Sequence, residues 1–481
     1  MADSFHATVE TILVLMLIVF AVALLARWAR LPYTIALVVT GLLGFQPGFR
    51  DLQLTPDLIL IVFLPVLLFE GAYNVSARSL RRDLLPVTLL AVLGVLFSTF
   101  VTAALVYVLL GLGWAVALLF GALIASTDPI AVVSLFRDLG APRRLALLVE
   151  GESLFNDGAA ITLFSIVLAA IITGQFSITD GVLRFLVTVA GALAVGAAIG
   201  AAGSWLLRAV DNPQIQITTT VIAAYGSYLL AEQFGFSGAI AVVVSGLLFG
   251  NYGSTSGISV RSVYALATTW EFLGFVANSL IFLLIGIALD PRQLATFAGP
   301  IAVAFLATLL GRAVAVYGLI PLLRGERKIP RAYRPVLVWG GLRGAVSLAL
   351  VLSIPRTLPT GSAFPNRDLL QLMAFGVVGV SLLLQGLTMP LLISRLGLVK
   401  PNASTDQVPI LRARLHAVGD ALLALGHEHD QGHIGALPYE RLTQSYRREQ
   451  AQLEQQLNDL EATSAERAED DSAETAPTRS Q

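Results

Sequence analysis

The sequence predicts an all-α polytopic membrane protein built from inverted six-helix repeats, and three observations lead there. Apolar runs of membrane-crossing length recur from residue 8 to residue 397. Lys and Arg gather in every second loop between them, and two runs at corresponding places are interrupted by Pro or Gly. Composition agrees: 56% of the 481 residues are hydrophobic and 13% charged, against about 25% charged in soluble domains.

A helix of about 20 apolar residues crosses the hydrocarbon layer, and cutting the chain at charged or Pro/Gly punctuation gives about thirteen spans on that scale. They are 8-26, 32-45, 56-75, 84-110, 114-137, 143-173, 179-209, 215-233, 236-251, 262-289, 298-323, 333-355 and 368-395. The first has an acidic flank (Asp3, Glu10) and no small-residue cleavage site before Arg27, so it reads as a retained helix and not a signal peptide. The alternate basic loops are Arg27/Arg30, Arg78/Arg81/Arg82, Arg137/Arg143/Arg144, Arg208, Arg261, and Arg324/Arg327/Lys328/Arg331/Arg334. Cytoplasmic loops carry the excess of Lys and Arg. An odd number of spans then puts the N-terminus outside and the tail in the cytoplasm, in a multi-pass protein of the plasma (inner) membrane.

The transmembrane domain is expected over 1-399, a cytoplasmic helical tail over 400-462 and a disordered acidic terminus over 463-481. In the tail, Leu442, Tyr446, Leu453, Leu457 and Leu460 recur at helical spacing, whereas the residues from Thr463 show no apolar period. The chain has no cysteine, which excludes disulfides, Cys-ligated zinc, iron–sulfur clusters and a thiol nucleophile. No cofactor and no nucleic-acid partner is expected. "GHEHDQGH", with His427, His429 and His433, reads as a solvated loop, because no acidic or cysteine pattern completes a metal site.

Inside the spans the ionisable residues are Glu70, Asp128, Glu150, Glu152, Asp157, Glu271, Arg312 and Arg343. Each costs about 2.5–3.5 kcal/mol or more at the bilayer centre unless paired or hydrated, so such residues mark a pathway or a site. In "GESLFNDGAAI", residues 151-161, positions four apart share a stripe. Ser153 and Asp157 form one stripe, and Glu152 and Asn156 form the next, about 100° round. One pair can face a cavity, where an acid and a hydroxyl offer hard oxygen ligands to a small cation; the other can face a partner helix. Glu271 and Arg312 are expected to brace two helices as a pair.

Proline in "ASTDPIAVV", residues 125-133, removes a helical hydrogen bond and disfavours helix at the residue before it. The helix should therefore break at Thr127 and Asp128. "WGGLRGAVSL" interrupts the twelfth span with Gly340, Gly341 and Gly344 around Arg343. If spans 1-6 and 8-13 are repeats joined by the seventh, these two broken helices, five and twelve, correspond and run in opposite directions. Paired interrupted helices point to a transporter's central site.

Through "LLFEGAYN", "STDPIAVVSLF", "EGESLFNDG", "WEFLGFVANSLIFLLIG" and "GGLRGAVSLAL", over about residues 10-397, the chain resembles the monovalent cation:proton antiporter family, in its sodium/proton exchanger branch with an Asn-Asp pair. The resemblance implies a homodimer and a core domain holding crossed, broken helices five and twelve. It implies Asp157 as the main carrier of cation and proton, with Asp128, Ser153, Glu70 and the Thr127 carbonyl around the ion. Glu152, Asn156 and Arg343 are implied to brace the site. The expected activity is exchange of a monovalent cation, Na⁺ before K⁺ or Li⁺, for H⁺ by alternating access. The only lysines, Lys328 and Lys400, lie outside the spans, so no membrane lysine carries a second proton and one-for-one, electroneutral exchange is expected. The rival readings are a carrier of another solute on the same fold, a passive channel and an intramembrane aspartyl protease. Acidic site residues disfavour an anionic solute, a single site between broken helices disfavours a pore, and Leu154-Phe155-Asn156 before Asp157 is not the Gly-rich stretch of the protease.

Overall fold

A computed structural model of the chain describes residues 2–29, 32–43, 55–175, 177–252, 259–398 and 403–474. Arg30, Lys400, the last residues of the 32-45 span and residues 475–481 of the terminus lie outside them. The chain divides into two compact units, Met1–Leu398 and Val399–Gln481.

In the first unit the apolar runs are helical. In chain order the helices are α1 (Ala2–Ala29), α2 (Tyr33–Leu43), α3 (Leu58–Asn74), α4 (Ala77–Leu110), α5 (Trp114–Ala125), α6 (Ile130–Asp138) and α7 (Arg143–Thr173). Then come α8 (Ile178–Ala209), α9 (Pro213–Gln233), α10 (Gly238–Tyr252), α11 (Val260–Ala288), α12 (Pro291–Thr296), α13 (Ala298–Leu319), α14 (Tyr333–Trp339), α15 (Ala345–Leu352) and α16 (Arg367–Arg395). Among the described residues six helices are long and apolar enough to cross a membrane. They are α4, α7, α8, α11, α13 and α16; several of the others are shorter apolar helices. The ends follow local chemistry. Gly174 stops α7 in the left-handed region, at φ 68°, where glycine carries no Cβ penalty. Ser177 then caps α8 by accepting from the Asp180 N–H at 3.3 Å.

Packing sorts these helices into two sets. In one, α10 packs against α3, α8 and α9, and α11 packs against α2. A Cβ at Gly41 would lie 2.4 Å from the Leu283 carbonyl oxygen and one at Gly286 2.3 Å from that of Val38, so the α2–α11 crossing is backbone on backbone, as small residues permit in membranes. In the other set α4 packs against α5 and α13, α5 against α7, and α16 against α13 and α15.

The second unit is a hairpin of α17 (Ala403–Asp430) and α18 (Ala436–Glu474). Its seam is Leu411, Val418 and Leu453, with Leu415, Leu422, Tyr446 and Leu457 packed on it. Leu442, on the periodic stripe read from the sequence, remains 43% exposed. α18 continues past Thr463, where composition predicts disorder. At the turn the His429 ring stacks on Tyr439 with centroids 4.1 Å apart.

Candidate cation site

Two interrupted helices of the first unit cross at their breaks. α5 stops at Ala125 and α6 starts at Ile130, with Pro129 unable to donate to the helix and steering Asp128 away from it. α14 stops at Trp339 and α15 starts at Ala345, across the glycines around Arg343. The breaks touch: the Asp128 N–H donates to the Leu342 carbonyl at 2.8 Å. Gly344 is required there, since a Cβ would come within 2.5 Å of the Asp128 side chain.

Each break leaves carbonyls without helical partners, and a buried arginine answers each. Arg343 Nη1 donates to the Ala125 and Ser126 carbonyls at 2.8 and 3.0 Å; its own N–H donates to Ser381 Oγ at 3.1 Å, on a π-helical stretch of α16. Arg312 Nε donates to the Leu337 carbonyl at 3.1 Å. Cations at helix C-termini meet the negative end of the helix dipole. Asp128 is the counterpart at the opposite ends: its Oδ1 accepts from the Ile130 N–H at 3.0 Å, and it abuts Gly344 at the start of α15.

α7 lies across the crossing. Ser126 Oγ donates to Asp157 Oδ1 at 2.5 Å, and Ser153 Oγ donates to the Thr127 carbonyl. Asn156 Nδ2 donates to Thr127 Oγ1 at 2.5 Å, while its Oδ1 accepts from the Thr127 N–H at 3.4 Å. Glu152 receives both terminal nitrogens of Arg312, with Nη2–Oε2 at 2.7 Å.

A cavity of about 1060 Å³ opens between the two helix sets and reaches this point. Ser126, Ser153 and Asp157 line it on one wall and Glu70 and Glu271 on the other. Glu150 and Asp128 also face it, and among the described residues no Lys, Arg or His does. Asp157 is only 7% exposed and lies about 10 Å along α7 from Glu150, seven residues at 1.5 Å each. Glu70 accepts from Asn74 Nδ2 at 2.8 Å, and its carboxyl group packs over Gly274, one turn from Glu271.

The expected pairing of Glu271 with Arg312 is not formed. Arg312 is committed to Glu152, which is 1% exposed and needs a countercharge at its own depth. Glu271 belongs to α11, in the other helix set, and faces the cavity. Sequence reasoning also missed the hydroxyl of Ser126 on Asp157 and the place of Glu150 on the cavity wall. The signal for Ser126 was present, a hydroxyl beside a proline break.

Crossed, interrupted helices beside an acid-lined cavity define a secondary cation transporter. The chain belongs to the sodium/hydrogen exchanger family, whose transmembrane profile matches residues 13–395. It is 38% identical over 443 residues to the Na⁺/H⁺ antiporter ApNhaP of Aphanothece halophytica, covering 91% of this chain and 82% of that one. It is 36% identical over 453 residues to the Na⁺/H⁺ antiporter NhaS2 of Synechocystis, covering 94% and 82%. The solved structure of the sodium proton antiporter MjNhaP1 from Methanocaldococcus jannaschii at pH 8 has the same fold, with a TM-score of 0.68 at 20% identity over 82% of this chain and 100% of that one. The chain is an integral, multi-pass membrane antiporter and not an enzyme.

Proposed function

We propose that the protein exchanges one Na⁺ for one H⁺, with Asp157 holding either ion in turn. The observation that carries this reading is the Asp157 carboxylate at the inner end of an acid-lined cavity, beside the Ser126 and Ser153 hydroxyls and the Thr127 carbonyl at a helix break. Hard oxygens of this kind replace the hydration shell of a small cation, and freed carbonyls at a broken helix serve the same end. Asp128, Ser153, Thr127 and Glu70 complete the proposed ion surroundings; Asn156, Glu152, Arg312 and Arg343 brace them.

Electroneutral coupling follows from the charges. Glu152 cancels Arg312, Asp128 and Arg343 carry opposite charges at the breaks, Asn156 adds none, and the lysines are remote in sequence, so one carboxylate exchanges one proton for one cation. Pro32, Leu139 and Glu150, at the cavity rim, adjoin the basic loops. The positive-inside rule then orients this cavity toward the cytoplasm, with the N-terminus outside and about thirteen crossings. α8 leaves Leu183, Leu186, Val187 and Trp205 exposed, a face for lipid or for the second copy of a homodimer. Movement of the wall bearing Asp157 past the wall bearing Glu70 and Glu271 provides alternating access.

The test is purified protein in proteoliposomes loaded at acid pH, with proton efflux followed on adding Na⁺, Li⁺, K⁺ or choline, with and without a valinomycin clamp. Na⁺-coupled efflux insensitive to voltage is expected. A reversal potential fitting two protons per cation overturns the stoichiometry, and absence of coupling in folded protein overturns the antiport.

A further inference from the structure

The tail hairpin carries a groove of its own, of about 460 Å³, lined by Arg414 from α17 and by Arg441 and Arg448 from α18. Arg441 and Arg448 are seven residues apart and so lie on one stripe of α18, two turns from each other. The same stripe carries Gln444, Gln452 and Gln456 into the groove.

Acids three or four residues from an arginine can pair with it along a helix face, and this stripe has none at those positions. The positions three and four away from Arg441 are Leu437, Pro438, Gln444 and Ser445, and those around Arg448 are Gln444, Ser445, Ala451 and Gln452. Among the described residues the one carboxylate in the lining is Glu449, which Arg414 Nη2 approaches at 3.4 Å, longer than the 2.7–2.9 Å of a strong charge-assisted bond. Among the described residues of the lining, three guanidinium groups thus face one loosely held acid. The fold of the hairpin does not call for them, since its seam is the leucine and valine contact described above.

We propose that this groove binds a phosphate-bearing anion of nucleotide size. Guanidinium forks match phosphate oxygens, glutamine amides offer donors and acceptors to hydroxyls or a base edge, and the volume lies in the range of small-molecule sites, about 300–1,000 Å³. The same phosphate chemistry is available from a soluble nucleotide or from a phospholipid headgroup.

Full-length protein in zwitterionic nanodiscs is titrated with ADP by calorimetry, and in parallel floated with vesicles containing or lacking phosphatidylglycerol. Saturable ADP binding assigns a soluble ligand; capture by the anionic vesicles alone assigns a headgroup. In either arm Arg441→Gln and Arg448→Gln are each expected to weaken binding roughly tenfold, the loss of a charged hydrogen bond, whereas Arg447→Gln, off the stripe, leaves it unchanged. Melting curves of the variants verify that the hairpin stays folded. No binding in either arm, or equal loss in all three variants, overturns the proposal.

Discussion

Asn156 holds Thr127 at two points, donating to its hydroxyl at 2.5 Å and accepting from its N–H at 3.4 Å. The two residues are 29 positions apart, and the contact fixes the unwound Thr127 peptide against α7, so that its carbonyl meets Ser153. An amide manages both bonds because it is donor and acceptor at once; a carboxylate could only accept.

Asn156→Ala is therefore expected to leave the buried Thr127 N–H and hydroxyl without those partners, at a cost of about 1–3 kcal/mol. The thermal midpoint should fall, and the KM for Na⁺ should rise because the Thr127 carbonyl is no longer fixed. An unchanged KM would remove Asn156 from the site.

The Glu152–Arg312 pair makes a different demand. Breaking a buried ion pair by removing one partner costs about 3–5 kcal/mol, whereas replacing both with apolar residues is often nearly neutral. Arg312→Met is expected to be worse than Arg312→Met combined with Glu152→Leu, as measured by thermal midpoints in detergent. The double variant retains a deficit, because Leu337 still loses its donor.

Asp157→Asn keeps the shape of the side chain and removes its charge. It is expected to fold and to show no Na⁺-coupled proton efflux. In the unaltered protein, competition for one carboxylate requires the apparent KM for Na⁺ to fall as pH rises, by up to about tenfold per unit where the proton-bound form dominates. A KM independent of pH separates the two ions onto different groups.

Glu271 lines the cavity on the wall opposite Asp157. Glu271→Gln is expected to raise the KM for Na⁺ about two- to fivefold, a partly screened charge effect of under about 1 kcal/mol, with maximal rate retained. The difference should shrink in high choline chloride, since salt screens exposed charges. A loss of maximal rate would instead put Glu271 among the groups that hold the ion.

Gly344→Ala is expected to abolish exchange, because its Cβ would collide with Asp128 at the crossing. Gly299→Ala, with nothing within 4 Å of the added carbon, is the matched control and should be silent. Equal activities would mean that the crossing can yield.

Much of this site was legible in the sequence for a physical reason: lipid makes polar residues costly, so their presence carries information. Pro129 announced the break, and four-residue spacing separated Ser153 and Asp157, which line the cavity, from Glu152 and Asn156, which contact neighbouring helices. The partners were less legible. Glu152 and Arg312 are 160 positions apart, and neither helical period nor hydropathy says which helices share a set. Glu271 was misassigned for that reason: its chemistry suited Arg312, but α11 packs elsewhere. The tail, without lipid to penalise polar residues, gave a weaker periodic signal and left Leu442 outside the seam.

The two helix sets meet where Gly71 of α3 faces a methyl group of Leu154 of α7 and Gly158 of α7 faces Ile240 of α10. Such contacts between bare backbone and aliphatic carbon have no direction, so they oppose slippage only through shape. A side chain added at either glycine becomes a wedge, and an exchanger wedged there would still offer its carboxylate to ions from one compartment while delivering none to the other.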